Sequence, residues 1–343
     1  MNFNATSLLM DITIMSGLIV FSKFLRTRIK FIQNHYIPAA MLAGIIGIIG
    51  GKYVLDIIPF SDQANTYSGV LFVLIFGSLF IGNQSNVSFS GMLKKSGDMF
   101  FMVTAGWFGL YGVAGIVGVT LLSLLFPGIH DAFGHLVATG FAGGHGSAAA
   151  IGQAYVESGW VDGMSVAMTY ATIGMLMAIF LGVILINYAT RKGYTAVIEE
   201  ASKLPEDVKT GLVPVDKRVP IGMGTVNSMS IDPITWHASL IFICSGGAIA
   251  LNKYVLSVIL PQVSLPSFGI AIILGAVLQY VLNLVGMGKY VDKATTTRLS
   301  SSFVDYLVGF GIATINLSIV ASYWQPLVIM CVVGVAYNLI LIE

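Results

Sequence analysis

The stretch Thr139–Gln153, TGFAGGHGSAAAIGQ, decides how this chain is read. It is polar and broken by glycine, yet it lies inside a sequence that is otherwise mostly apolar runs. Lipid offers no partner to a free backbone N–H or C=O, and each one left bare in hydrocarbon costs several kcal/mol. Backbone that abandons helix geometry at membrane depth must therefore line a cavity, where it can meet a ligand. The reading is a transporter with a broken or re-entrant segment over 134–157.

Composition supports the membrane setting. The chain has 343 residues, 56% of them hydrophobic and only 10% charged, with mean hydropathy +0.87. A soluble domain carries about 25% charged residues, which excludes a soluble two-domain enzyme. Cys244 and Cys331 both sit in apolar runs, so they read as packing residues and not as a disulfide framework. The start, MNFNATSLLMDITIM, lacks a basic signal-peptide n-region, so its apolar segment reads as a retained span.

Apolar runs long enough to cross a bilayer fall near 6–22, 36–58, 67–82, 99–126, 162–189, 234–252, 267–286, 303–323 and 326–342. Lysine and arginine accumulate on the cytoplasmic side. Lys23, Arg26, Arg28 and Lys30, then Lys94 and Lys95, then the basic residues of 190–233, then Lys289, Lys293 and Arg298 define inner loops. Only Lys52 and Lys253 remain outside, two of seventeen basic residues. The N-terminus is then outside, and a full crossing at 134–157 would break the alternation. A re-entrant hairpin entering from the outer face keeps it.

The segment 191–233 is a polar cytoplasmic linker between a first repeat, 1–190, and a second, 234–343. IPAAMLAGIIGIIGG at 37–51 pairs with LPSFGIAIILGAV at 265–277, each span led by a proline, Pro38 and Pro266. LFVLIFGSLFIGNQSNV at 71–87 pairs with YLVGFGIATINLSIV at 306–320; asparagines (Asn83 and Asn86, Asn316) come late in each. Weak internal similarity with opposite topology marks inverted-repeat secondary transporters. The fold class is thus all-α, polytopic and inverted-repeat. A counterpart hairpin in the second repeat would fall beyond Glu343, so that repeat reads as incomplete.

GGHGSAAA, the proline-led spans and the MTYATIGMLMAIFLG that follows resemble the sodium/glutamate symporter family of bacterial inner membranes. Gly143, Gly144, His145, Gly146 and Ser147 match that family's SGGHGT-type hairpin motif, with serine for threonine. Ala171, Thr172, Ile173 and Gly174 match the ATFG-like run after it. The family's second, GATPTA-type motif has no counterpart in this sequence. The resemblance implies sodium-coupled uptake of glutamate or a similar anionic amino acid across the inner membrane. It also implies a homodimer in the lipid bilayer, with no nucleic acid as partner. Alternatives are a truncated, non-transporting remnant and a sodium-coupled carrier of another carboxylate.

The residue chemistry suits such a ligand. Glycines 143, 144 and 146 allow positive φ and close approach of backbone to ligand. A half-helix starting near Ser147 would point its N–H groups and positive dipole end at a carboxylate. Ser147 could cap that half-helix or lend an oxygen to a cation. His145 is a donor to a carboxylate or a proton-coupled group; its bland alternative is a histidine that hydrogen-bonds the hairpin backbone. Na⁺, the coupling ion, needs oxygen ligands, for which Asn83, Asn86, Thr172 and Asn316 are candidates. Ordinary helix–helix hydrogen bonds are the alternative for each. Asp11 and Asp305 are the carboxylates to test for coupling. An enzyme is not expected. Ser147 and His145 are too close in sequence for a nucleophile and its base, and no GxSxG elbow is present.

Overall fold

The computed structural model describes residues 4–35, 37–83, 89–194, 206–259 and 266–342. Its main helices are α1 (Ala5–Arg28), α2 (Ala39–Gly50), α3 (Ala64–Gly77), α4 (Phe89–Val117), α5 (His135–Glu157), α6 (Gly163–Arg191), α7 (Pro233–Leu251), α8 (Ser267–Leu284), α9 (Lys293–Ala313), α10 (Leu317–Ser322) and α11 (Trp324–Ile342). No strand occurs among the described residues. Six helical stretches there are long and apolar enough to cross a membrane: Ala5–Arg28, Gly97–Leu125, Gly163–Gly182, Pro233–Ile259, Ser267–Leu284 and Trp324–Leu341. The chain is an all-α polytopic membrane protein.

Three expected spans have different bounds. The run at 36–58 yields only the twelve residues of α2, about 18 Å of helix. Gly51 is extended, Asp56 has φ +52°, and the chain turns through 51–63. Helix α3 is also short, at fourteen residues. The run at 303–323 belongs to α9, which begins ten residues earlier at Lys293 and stops at Ala313. Its first turn is capped by Asp292, which accepts from Thr295 N at 2.7 Å. Hydropathy missed this turn because TTTRLSSS is polar.

Prolines and polar caps set several starts. Pro38 and Pro266 sit in extended geometry immediately before α2 and α8. Asp232 caps α7 through Ile234 N and Thr235 N, and Pro233 takes the first helical position, where its missing N–H costs nothing.

The chain forms two compact units that interleave in sequence. One comprises 1–67, 106–218 and 308–343; the other comprises 68–105 and 219–307. In the first, an apolar core gathers Leu110, Phe133, Leu136, Val137, Tyr170, Leu327 and Met330, all buried. Helix α1 is fixed within the same unit through Asp11, 1% exposed. Its carboxylate accepts from Ser61 N (2.9 Å), from Ser61 Oγ and from Tyr67 OH (2.8 Å).

Both Asp11 oxygens are therefore committed to protein donors. Hydrogen bonds to a charged group are worth about 1.5–3 kcal/mol each. Asp11→Asn is expected to lower the thermal midpoint of the purified protein while leaving the sodium dependence of uptake unchanged. A changed sodium dependence at unchanged stability would instead make Asp11 a coupling group. Asp305, the other carboxylate singled out by sequence, lies exposed on α9.

In the second unit, Leu240, Ile241, Cys244 and Leu282 pack around Ile81. The segment leading into α7 is tied to the start of α9. His237, fully buried, accepts from Asp292 N at 2.8 Å, and its Nδ1 faces Pro233 O at 2.6 Å. Thr225 Oγ1 and Trp236 Nε1 both donate to Tyr290 O. Burial pushes the Asp292 carboxyl up, but hydrogen bonds from Thr295, Met223 and Ala294 outweigh it and hold its pKa below the usual value. A depressed folded pKa lends stability at neutral pH that is lost on acidification through that pKa.

Candidate functional site

Helix α5 contains one non-helical residue, Gly144 at φ +63°, ψ −165°. Its neighbours show what happens to the chain there. Before Gly144, Trp107 lies against Gly143, Tyr111 OH meets Thr139 Oγ1 at 2.9 Å, and Gly115 lies against His135. Each four-residue step along α4 is matched by four residues back along α5, so these segments run antiparallel. Along α6 the same arm runs parallel: the Phe133 ring is 5.8 Å from the Tyr170 ring, Gly140 abuts Ala171, and Phe141 abuts Gly174.

After Gly144 the sense along α6 reverses. His145 Nε2 lies 3.1 Å from Thr172 Oγ1, Gly152 abuts Met164, and Tyr155 abuts Gly163. The base closes where it opened: His130 stacks on Trp160 at 4.2 Å between ring centroids, and Tyr155 packs edge-on against both rings. The segment is thus a hairpin of two helical arms with Gly144 at its tip. Thr172, level with the tip, stands nine residues into α6, or about 14 Å along it. That is near half of a hydrocarbon layer of about 30 Å.

Small residues make the close packing possible. A Cβ at Gly140 would stand 2.6 Å from Ala171 N, and one at Gly134 would strike Ala114 O. At Gly143 it would strike the Ser147 side chain, so the tip is folded onto itself. At Gly144 there is nothing within 4 Å, and glycine is required there by conformation alone. His145 is 2% exposed and its Nδ1 has no hydrogen-bond partner. A buried polar atom left bare is costly, and here it sits beside the tip. Thr172 Oγ1 also donates to Met168 O at 2.9 Å.

The structure therefore brings Gly143, Gly144, His145, Gly146, Ser147 and Thr172 together. Of the other three candidates, only Asn316 is described in the same unit, and it serves a different turn. Asn316 caps α10, accepting from Ser318 N (3.1 Å) and Ile319 N (3.4 Å). Asn83 is exposed at the end of the turn after α3 and falls in the other compact unit. Asn86 lies outside the described residues. No cluster of three His, Cys, Asp or Glu side chains occurs among the described residues. A cation at the tip would have neutral oxygens as ligands.

A cavity of about 630 Å³ opens in the same unit, lined by Lys52, Asp62, Gln153, Ser165, Thr314 and Asn316 among others. None of the tip residues lines it; along the second arm, Gln153 is eight residues from His145, about 12 Å. Sequence reasoning identified Asn316 and Lys52 but not the cavity they share. Trp107 against the tip carried a weak signal as the deepest tryptophan in the hydropathy pattern.

A polytopic α-helical membrane protein with a glycine-tipped helical hairpin has the architecture of a secondary transporter. The chain belongs to the sodium/glutamate symporter family, whose model matches residues 2–342. Symporters are transporters and not enzymes. Neither a curated protein nor a solved structure matches the chain.

Proposed function

We propose that this chain carries glutamate or a similar anionic amino acid across the bacterial inner membrane, coupled to Na⁺, with the substrate bound at the hairpin tip. The observation that carries the reading is the tip itself. Glycine backbone at mid-depth, a buried His145 with one bare ring nitrogen, and the N-terminus of the second arm converge there. The helix end contributes orphan N–H groups and a positive dipole, so a carboxylate finds partners without a mobile counter-anion. With Thr172 Oγ1 donating to Met168 O, His145 Nε2 donates to Thr172 and its bare Nδ1 is an acceptor for the substrate's ammonium. Ser147 Oγ, against Gly143, and Thr172 Oγ1, 3.1 Å from His145 Nε2, are the side-chain oxygens the reading assigns to a coupling Na⁺.

Orientation follows from charge. Lys23 donates to Gly211 O and Arg26 to Lys209 O, and Phe180 packs near His35. The basic end of α1, the far end of α6 and the linker therefore share one end of this unit. The positive-inside rule makes that end cytoplasmic, with the N-terminus and the hairpin base outside. Inverted repeats are supported by the proline starts of α2 and α8 and by the unwound turns after α3 and α9, near Asn83 and Asn316.

The test is uptake of labelled glutamate into proteoliposomes under an inward Na⁺ gradient, with a K⁺ gradient as control. Aspartate and citrate serve as competitors. Sodium-dependent uptake blocked by unlabelled glutamate is expected. Uptake blocked only by citrate would move the reading to a carrier of another carboxylate.

A further inference from the structure

The unit formed by 68–105 and 219–307 holds an ammonium–carbonyl cluster that the hairpin site does not use. Helix α3 ends at Gly77, and Ser78–Asn83 leave helix geometry, with Gly82 at φ +77°. Carbonyls released from a helix need new partners, and Ser78, Ile81 and Gly82 of this turn are buried. Lys293 Nζ donates to Leu79 O at 2.7 Å and to Ile81 O at 3.3 Å. Thr296 Oγ1 lies 3.2 Å from Ile81 O, and Gly82 N donates to Gln279 Oε1 at 2.7 Å. Ile81 and Thr296 are fully buried. A Cβ on Gly82 would stand 3.0 Å from Lys293 Cα, so the turn is seated directly on the first turn of α9.

Two features single out Lys293. It holds the first position of α9, the positive end of the helix dipole, where a cation is disfavoured. Local helix energetics therefore do not account for it. Its ammonium is held by carbonyls of an unwound helix, the kind of oxygen set that coordinates Na⁺ in broken-helix carriers. The adjacent Asp292 carboxylate is occupied by Thr295 N, Thr295 Oγ1 and Met223 N. The Lys293 side chain is exposed, so the cluster is not sealed inside the unit.

We propose that Leu79 O and Ile81 O, with Thr296 Oγ1 beside them, form a monovalent-cation site whose occupant is the tethered ammonium of Lys293. The turn after α3 then supplies a fixed positive charge and no coupling ion. A Na⁺ ion bound during transport must sit elsewhere. Replacing Lys293 with a neutral side chain opens the carbonyls to an alkali cation, with water completing its shell.

The test uses full-length Lys293→Met and Lys293→Gln in nanodiscs. Thermal midpoints are measured across NaCl against choline chloride at constant ionic strength, and the wild type sets the response of every other Na⁺ site. Both variants are expected to show an additional saturable rise in midpoint with Na⁺, of a few degrees, beyond the wild-type response. A Na⁺ response no larger than the wild type's in both would overturn the proposal and leave Lys293 as a plain helix-end cap. Should Lys293→Met fail to fold in choline, its yield in Na⁺ is the readout: rescue by Na⁺ supports the site, and equal loss in both salts rejects it. Lys293→Gln is neutral, polar and one atom shorter than lysine, so a response in both variants follows from the lost ammonium and not from the hydrophobicity of methionine.

Discussion

Gly144→Ala is expected to cut sodium-driven uptake by roughly one to two orders of magnitude, and Gly144→Leu to abolish it, with membrane insertion unchanged in both. The argument is conformational. Gly144 holds φ +63° with ψ −165°, a region populated essentially by glycine alone, and nothing lies within 4 Å of where its Cβ would be. Alanine therefore meets no clash. It meets only backbone strain, about 1–3 kcal/mol in such regions, which at 1.4 kcal/mol per decade gives the stated range. Leucine adds a side chain where the ligand would approach. Gly159→Ala is the matched control, because Gly159 has φ +105° and equally open space but lies at the hairpin base. It should lose stability and keep transport. Wild-type uptake by Gly144→Leu would remove the tip from the substrate site.

Much of this was legible in the sequence because membrane physics leaves few choices. A glycine-broken polar stretch inside apolar chain had to be protein-lined, and basic-residue alternation required it to turn back. The register of α5 against α4 and α6 shows that reversal directly, with Gly143 at Trp107 going in and Gly152 at Met164 coming out. What hydropathy could not show were features encoded by polar residues. The first ten residues of α9 are too polar for an apolar window. The Asp11 cluster with Ser61 and Tyr67 depends on partners about fifty residues away in sequence. The cavity is invisible for the same reason, since Lys52, Gln153 and Asn316 converge only after three segments have packed. Asn83 and Asn316 read as equivalent in a linear pattern, yet they fall in different compact units.

The second large effect tests the hairpin's packing rather than its tip. Gly140→Leu is expected to yield no monodisperse folded protein, and Gly140→Ala to lower the thermal midpoint sharply. A Cβ there would stand 2.6 Å from Ala171 N, 2.7 Å from Tyr170 C and 2.7 Å from Tyr170 Cβ. Two of these are backbone atoms of α6, and Tyr170 is fully buried, so no flexible side-chain end can give way. Association of helices in lipid depends on such close approach, because the surrounding hydrocarbon supplies no hydrophobic drive. Overpacking ordinarily costs about 1–3 kcal/mol, and separation of the first arm from α6 would add the contacts of Phe141 with Gly174. Gly182→Leu on the same helix is the control, since nothing lies within 4 Å of its Cβ position, and it should elute and melt as the wild type does. A wild-type midpoint in Gly140→Leu would mean that the first arm does not lie against α6. The reversal at Gly144 would then lose the register on which it rests, and with it the argument that places His145 at mid-depth.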